Sequence, residues 1–198
     1  MLMLMVRPNG IRADGTRRRV PIVRERGQKF GRIHAERVLS IKTDIMITGP
    51  NQSGKSRWLA KLADNAPAVW PGRPVLHLRA LDPLARWHDF PALAAWVKEV
   101  KHLDFVRLRA WEKVDALLAW VAAVRPVVVL DDAHKLAARK LDLAVQICRD
   151  AGRVVAGAWA ENSIPMSLRL LLDKREPQRV NLSSDAAYDV TAVLMWVM

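Results

Sequence analysis

Cysteine is nearly absent from this sequence: Cys148 is the single cysteine among 198 residues, so no intrachain disulfide can form. A chain without disulfides is typical of reducing compartments, and we expect a cytoplasmic protein. Cys148 lies in the apolar stretch LAVQIC, which favours a buried, unreactive thiol over a nucleophile. No cluster of histidines and cysteines has metal-ligand spacing either, so the sequence predicts no structural metal site.

Long apolar runs are missing as well. No stretch approaches the roughly 18 consecutive apolar residues of a membrane span. The opening MLMLMV is too short for a signal peptide and has no basic residues before it. Hydrophobic residues nevertheless make up 51% of the chain, which predicts a folded core rather than disorder. We therefore expect a soluble protein with one sizeable core and no integral membrane segment.

Acidic residues are outnumbered: 32 lysines and arginines face 20 aspartates and glutamates, for a formal net charge of +12. A positive field of this size favours polyanionic partners, either nucleic acid or an anionic membrane surface, and nucleic acid is the favoured one. Arginine is densest over 7–37, where glycines interrupt the segment, and we predict a basic N-terminal extension over 1–40, an arm or a small hairpin. A solvated tail and a segment that contacts phosphates both remain open for it.

Beyond the extension, over 41–198, apolar strand-like runs alternate with helical periodicity. This alternation predicts an α/β fold with a mostly parallel central sheet and helices on both faces. The predicted strands lie at 44–48, 75–78, 105–108, 127–130, 154–158 and 178–182. The predicted helices lie at 56–66, 91–100, 113–124, 134–151, 166–173 and 184–197.

Eight tryptophans occur in this region. Most of them stand at helical spacing with leucine and alanine, as Trp96 in LAAWV and Trp120 in LLAWV. Tryptophans can stack on the bases of single-stranded nucleic acid. The helical spacing favours packing in the core or at a subunit interface instead. We make the same prediction for Trp58, Trp70 and Trp87.

The stretch GPNQSGKS, residues 49–56, has the pattern of a phosphate-binding loop and stands between a predicted strand and a predicted helix. Glycines let backbone N–H groups surround phosphate oxygens, and the helix presents its positive N-terminus. In this pattern Lys55 contacts the β- and γ-phosphates and Ser56 binds magnesium, so we predict ATP and Mg²⁺ as ligands. The predicted nucleotide-binding residues are Gly49, Pro50, Asn51, Gln52, Ser53, Gly54, Lys55, Ser56 and Arg57.

A second motif, VVVLDDAH over 127–134, ends an apolar strand in two acids. In P-loop proteins the acid at this position holds magnesium, which assigns that role to Asp131. The next carboxylate often activates the attacking water, which assigns that role to Asp132. Helix capping by one of the two acids is the alternative. For His134 we expect that it begins the next helix or links to the sensor residue that follows the next strand, and contact with phosphate is the weaker alternative.

Several segments resemble the FtsK–HerA superfamily of DNA-pumping ATPases over roughly residues 40–195. They are the loop GPNQSGKS, the strand and Asp-Pro pair of VLHLRALDP, the acids of DDAHKL, and the strand, polar residue and Ile-Pro pair of VVAGAWAENSIP. The resemblance implies a sensor role for Asn162. Asp132 departs from the glutamate usual in the family, so Glu161 is an alternative catalytic base, ranked below Asp132.

The resemblance also implies that a neighbouring subunit supplies an arginine to each ATP site. Arg149 and Arg153 are the leading candidates, and Arg169 and Arg175 are weaker ones. The null hypothesis for each is a surface charge that contacts only water.

Within the superfamily, a nearly bare ATPase core with a basic extension resembles the genome-packaging ATPases of tailless, membrane-containing viruses. The implied protein is an ATP-hydrolysing DNA translocase that threads double-stranded DNA through a homo-oligomeric ring in the host cytoplasm or on the virion. Viral capsid or membrane-vertex proteins are implied as further partners. The alternatives are another oligomeric nucleic-acid ATPase of the helicase-loader type, a small-molecule kinase, and a non-catalytic nucleic-acid binder.

Overall fold

Two β-sheets organise the chain in the computed structural model, which describes residues 2–26 and 33–182. The first sheet is antiparallel and contains β1 (Leu2–Ile11), β2 (Arg17–Arg26) and β3 (Ile33–Val38). The second is parallel and contains β4 (Ile45–Thr48), β5 (Val75–Arg79), β6 (Val127–Asp131), β7 (Arg153–Ala158) and β8 (Gln178–Asn181).

Helices cover both faces of the parallel sheet. They are α1 (Lys55–Asp64), α2 (Ala66–Val69), α3 (Leu84–Trp87), α4 (Pro91–Lys101), α5 (Ala110–Val124), α6 (Ala138–Asp150) and α7 (Met166–Lys174). One hydrophobic cluster joins the sheet to α4–α7, and a second joins its other face to α1 and α2. The predicted RecA-like P-loop NTPase fold, with a mostly parallel sheet flanked by helices, is confirmed. The helix predicted at 184–197 lies outside the described residues.

The strand order of the parallel sheet is β5-β6-β7-β4-β8, so β7 lies between the strand that enters the loop and the strand that ends in the acids. All neighbours in this sheet pair in parallel. Their carboxyl ends therefore meet at one edge, which brings together the loop after β4, the acids after β6 and the turn after β7. We call this edge the loop edge and the opposite edge the amino-terminal edge.

The central strand β6 shows why the sequence folds this way. All five of its residues are buried, as expected for a strand covered on both faces. Val127 and Val129 belong to the cluster around α1, whereas Val128 and Leu130 belong to the cluster around α4–α7. Strict alternation along an apolar run thus supplies both layers of the core.

Helix α1, which follows the phosphate loop, lies between the two sheets. Its Trp58 and Leu59 pack in one cluster with β4 and β6 on one side and with Val23 of β2 on the other. Two arginines hold the corner between α1 and α2: Arg12, in the turn between β1 and β2, donates to the carbonyl of Ala68, and Arg19 of β2 donates to the side chain of Asn65. The first sheet therefore covers the helix of the phosphate loop. The division of the chain at residue 40 stays a prediction.

The strand predicted at 105–108 is wrong. Phe105–Arg107 forms a 3₁₀ turn, begun by the Asp104 side chain, which accepts the N–H of Val106 at 3.0 Å. Capping of this kind favours a turn over an extended chain. Strand β5 then pairs directly with β6 and leaves no place for another strand between them.

The helix predicted at 134–151 begins later than expected. Asp132 has a left-handed backbone (φ 57°), and Ala133–Lys135 forms a 3₁₀ turn after it. Leu136 is buried in an extended conformation at the end of that turn. Helix α6 starts only at Ala138, because the chain first turns to place both acids at the loop edge.

The predicted packing of the tryptophans is confirmed for four of the five named above. Trp58, Trp70, Trp87 and Trp120 are buried, and Trp96 is half-buried beneath the ammonium group of Lys101. Cys148 is also buried, as predicted, and burial raises the pKa of its thiol to about 12. Within the described ranges, no helix combines the length and apolar character needed to cross a membrane.

Candidate nucleotide-binding site

The two glycines of the loop motif are required for different reasons. Gly54 caps the N-terminus of α1 with a left-handed backbone (φ 84°), and its carbonyl accepts the N–H of Trp58 at 3.0 Å. Gly49 has no room for a side chain, because an added Cβ would lie 2.7 Å from Cβ of Leu182. Between them Gln52 also has positive φ (65°). The loop therefore turns tightly at the N-terminus of α1, the geometry that binds phosphate.

Lys55 folds back over the loop. Its Nζ donates to the carbonyls of Gly49 at 2.6 Å and Pro50 at 2.8 Å and to Oγ of Ser53 at 3.1 Å. Burial lowers the pKa of the Lys55 amine, although the carboxylates of Asp132 and Asp131 favour its charged form. Neutral oxygens compensate a buried ammonium poorly, so a phosphate at this position would supply a stronger partner.

Ser56 and Asp131, the two predicted magnesium ligands, lie side by side. The hydroxyl of Ser56 donates to Oδ1 of Asp131 at 3.1 Å, and the same oxygen accepts the N–H of Asp132 at 2.9 Å. Asp131 is buried, with 3% of its surface exposed. A hydroxyl and a carboxylate are the hard oxygen ligands that Mg²⁺ prefers. The donor set therefore fits this ion, held between β6 and the first turn of α1.

Gly157, which the sequence analysis did not single out, allows this close approach. It lies in β7, the strand between β4 and β6, and an added Cβ would lie 2.6 Å from Cδ1 of Leu59 in α1. Oδ1 of Asp131 lies 3.7 Å from the same position. A side chain here would force the Leu59 side chain to move. The signal was available, because a glycine inside a buried strand marks a close backbone approach.

The two candidate bases differ in their surroundings. Asp132 forms an ion pair with Lys135 at 2.9 Å and lies directly after the magnesium ligand Asp131. Glu161 forms an ion pair with Arg179 at 2.5 Å, and Arg179 also pairs with Asp173 at 2.5 Å. Arg179 stands in no motif, so the sequence alone does not mark it as a site residue. Its guanidinium compensates the charge of Glu161.

Glu161 and Arg179 line a cleft of about 530 Å³ together with Thr48, Gly49 and Pro50 at the start of the phosphate loop. Asn162, the predicted sensor, is exposed in the 3₁₀ turn Glu161–Ser163 and is not among the lining residues. The cleft nevertheless joins the loop to the turn after β7.

A hydrogen-bonded path connects the three segments at the loop edge. The N–H of Gly49 donates to the carbonyl of Trp159 at 3.0 Å, and the N–H of Trp159 donates to Nδ1 of His134 at 3.3 Å. Burial lowers the pKa of His134, which favours the neutral imidazole that can accept this bond. His134 therefore bonds to the backbone of Trp159, three residues before the predicted sensor Asn162, and its predicted link to that sensor stays a prediction.

The four arginines predicted to act from a neighbouring subunit lie at different places in the fold. Arg153 begins β7 and Arg149 lies in the last turn of α6, both at the amino-terminal edge of the sheet. Arg169 contacts Sδ of Met166 within α7. Arg175 is bonded inside its own chain, to the carboxylate of Asp44 and to backbone carbonyls.

Comparison with known proteins adds likenesses of fold. No family model matches the sequence, and no curated protein matches it significantly. The chain is similar to ATPases 2 and 3 of Thermomonospora curvata EccC, solved with a signal sequence peptide (16% identity, TM-score 0.49, 93% of this chain and 40% of that one). It is also similar to AMPPCP-bound DnaA from Aquifex aeolicus (16% identity, TM-score 0.45, 80% of this chain and 46% of that one). A third similar structure is Cdc6p from Pyrobaculum aerophilum (16% identity, TM-score 0.45, 77% of this chain and 42% of that one).

The chain spans less than half the length of each of these proteins. The assignment of a P-loop NTPase fold rests on this chain itself, on its parallel sheet and on the loop between β4 and α1.

Proposed function

We propose that this chain is an oligomeric ATPase that acts on nucleic acid and couples ATP hydrolysis to the movement of double-stranded DNA. The observation that carries the proposal is the contact between the Ser56 hydroxyl and the Asp131 carboxylate at 3.1 Å, beside the loop that holds Lys55. These groups come from two separate parts of the sequence, the loop over 49–56 and the strand that ends at Asp131, and they meet at one edge of one sheet.

Each group has a role in this proposal. Residues 49–57 hold the ATP phosphates through backbone N–H groups, and Lys55 binds the terminal phosphates. Ser56 and Asp131 hold Mg²⁺, which neutralises charge on the transferred phosphoryl group when bound. Asp132 accepts the proton of the attacking water, and Asn162 orients that water or senses the γ-phosphate. Glu161, paired with Arg179 at 2.5 Å, is the second candidate for the base.

The charge and the resemblance favour a nucleic-acid partner. A formal net charge of +12 attracts polyanions at long range. The most specific form of the proposal is a ring of identical subunits that packages a viral double-stranded DNA genome. It would work in the cytoplasm of a host cell or on the virion, where capsid or membrane-vertex proteins would anchor it. An arginine from the neighbouring subunit, for which Arg149 and Arg153 remain candidates, would complete each site.

Steady-state ATP hydrolysis with and without long duplex DNA tests the proposal. We expect Mg²⁺-dependent hydrolysis that duplex DNA stimulates and that single-stranded RNA of equal phosphate concentration stimulates less. If the rate of ATP consumption does not change with any nucleic acid but rises when a small phosphate acceptor is added, the protein is a kinase instead. Sedimentation of the protein with ATP and DNA provides the second readout, because the proposal requires a complex of several copies.

Paired substitutions distinguish the two candidate bases. We expect Asp132→Asn to lower kcat about 100-fold or more, because it removes the general base without changing shape. Glu161→Gln should change kcat by less than about fivefold, since it removes only a half-exposed ion pair with Arg179. The measurements are kcat and ATP affinity of both variants. A reversed order of the two kcat values would assign the base to Glu161.

A further inference from the structure

Each of three neighbouring strands in the parallel sheet is led by an arginine. The sequences are GRPV over 72–75 before β5, VRPV over 124–127 before β6, and GRVV over 152–155 at the start of β7. Arg73 and Arg125 each stand two residues ahead of their strand, with a proline between, and Arg153 is the first residue of its strand. We call Arg73, Arg125 and Arg153 the arginine row.

The register of the sheet brings the arginine row together. Val75 pairs with Val127, and Val127 pairs with Arg153, so Arg73 and Arg125 are level with each other and Arg153 lies two residues further along its own strand. The N–H of Val127 donates to the carbonyl of Pro74 at 3.0 Å, and the N–H of Gly152 donates to that of Pro126 at 2.9 Å. Adjacent strands lie about 4.8 Å apart. The three arginines therefore stand side by side along the amino-terminal edge.

The arginine row lines one concave surface. A cleft of about 390 Å³ is bounded by the three arginines, Val124 and Gly152. Gly152 leaves the space that the row occupies, because an added Cβ would lie 2.9 Å from Nη1 of Arg73 and 2.4 Å from the carbonyl oxygen of Arg125. The chain is thus shaped to let a guanidinium lie against its backbone here.

Within the part of the chain that the structure describes, no carboxylate forms an ion pair with the arginine row. Among residues 2–26 and 33–182, none of the eight ion pairs includes Arg73, Arg125 or Arg153. Asp150 ends α6 three residues before Arg153 and takes part in none of these ion pairs, and Asp44, directly before β4, is already bound by Arg175 and by the N–H of Val154. Three like charges in one cleft repel one another, and a bound polyanion removes that repulsion.

We propose that the arginine row is a site for phosphate groups, and that its physiological ligand is the sugar-phosphate backbone of nucleic acid. The guanidinium fork matches phosphate oxygens in geometry and keeps its charge at every physiological pH. This inference rests on the nucleic-acid partner of the proposed function and adds the surface that contacts it. The row lies at the edge of the sheet opposite Lys55, so nucleic acid and ATP would occupy opposite ends of one subunit.

The test compares two triple variants of the full chain that lose the same charge. One is Arg73→Gln, Arg125→Gln and Arg153→Gln. The matched control replaces three exposed arginines elsewhere, Arg86→Gln, Arg107→Gln and Arg139→Gln. The affinity of each protein for short duplex DNA is measured over a range of sodium chloride concentrations. Thermal unfolding checks that both fold, and the double variant Arg73→Gln, Arg125→Gln serves if the first triple does not.

We expect the row variant to bind duplex DNA at least about tenfold more weakly than the wild type at low salt, because up to three phosphate contacts are lost. The slope of log K against log salt should become shallower by about 2 to 3, at about 0.9 per phosphate contact. The control variant should keep most of the affinity and nearly all of the slope. Equal losses in the two variants would overturn the proposal, because they would reflect net charge alone.

A second arm separates the sources of phosphate. Inorganic phosphate is titrated against all three proteins at constant ionic strength. If the row variant alone loses phosphate binding while DNA binding is equal in all three, the row binds a small anion and the nucleic-acid assignment is wrong. If DNA binding depends on the arginine row but DNA leaves the rate of ATP hydrolysis unchanged, the row is a nucleic-acid site and the proposed motor function is wrong.

Discussion

We expect the Lys55→Ala variant to bind ATP about 10- to 100-fold more weakly and to hydrolyse it at least about 1,000-fold more slowly. The reason is the position of Lys55, buried beside the loop with its ammonium group on three neutral oxygens. A charge-assisted bond to phosphate replaces these weaker bonds, and it strengthens as charge develops in the transition state. Fluorescence titration measures the ATP affinity, and a single-turnover experiment measures the rate of hydrolysis.

Lys61→Ala is the matched control for this prediction. Lys61 lies on the same helix, is exposed and carries the same charge, but it points to no loop oxygen. Its substitution should leave both ATP affinity and hydrolysis within about twofold, because an isolated surface charge contributes little. If the Lys55→Ala variant hydrolyses ATP as fast as the Lys61→Ala variant, the phosphate loop has no part in hydrolysis and the proposed mechanism is wrong.

The second large effect concerns stability, and it is expected from Asp44→Ala. Asp44 is buried directly before β4, where its carboxylate accepts the N–H of Val154 at 3.0 Å and pairs with Arg175. Removing one partner of a buried pair leaves the other charge uncompensated, so the free energy of unfolding should fall by about 3–5 kcal/mol. Urea unfolding followed by circular dichroism gives the change in midpoint and slope.

Two comparisons make this second prediction specific. Asp82→Ala removes an acid that pairs with Arg79 only at 3.9 Å, on the surface, and should cost less than about 1 kcal/mol. The double variant Asp44→Ala, Arg175→Ala should be more stable than the sum of the two single losses predicts, because no lone charge is then left inside. Strict additivity of the two losses would contradict the pairing of these residues.

The phosphate loop and the acids after β6 could be predicted from sequence because their chemistry allows few residue types at fixed spacing. The strands around them followed from apolar runs in the same way. The errors arose where a short polar contact overrode the pattern. The capping of Val106 by Asp104 turned a predicted strand into a 3₁₀ turn, and the left-handed backbone at Asp132 delayed the start of α6.

Other features of the candidate site depend on pairing between distant segments, which sequence spacing does not contain. Arg179 meets Glu161 only because β8 and the turn after β7 lie at the same edge of the sheet. The arginine row is visible in the sequence as three similar tripeptides, RPV at 73–75, RPV at 125–127 and RVV at 153–155. Its members become neighbours only when the parallel register of β5, β6 and β7 is known.

The position of α1 between two sheets has a consequence for the order of folding. During translation, the residues that contact α1 on one side, such as Val23, are synthesised before the helix itself. The residues on its other side, Val127, Val129 and Val155, are synthesised long after it. Contacts of high sequence separation form slowly, because the intervening loop must close first. On a ribosome the helix would therefore first meet the N-terminal sheet, which can shield its apolar face from aggregation until the parallel sheet is complete.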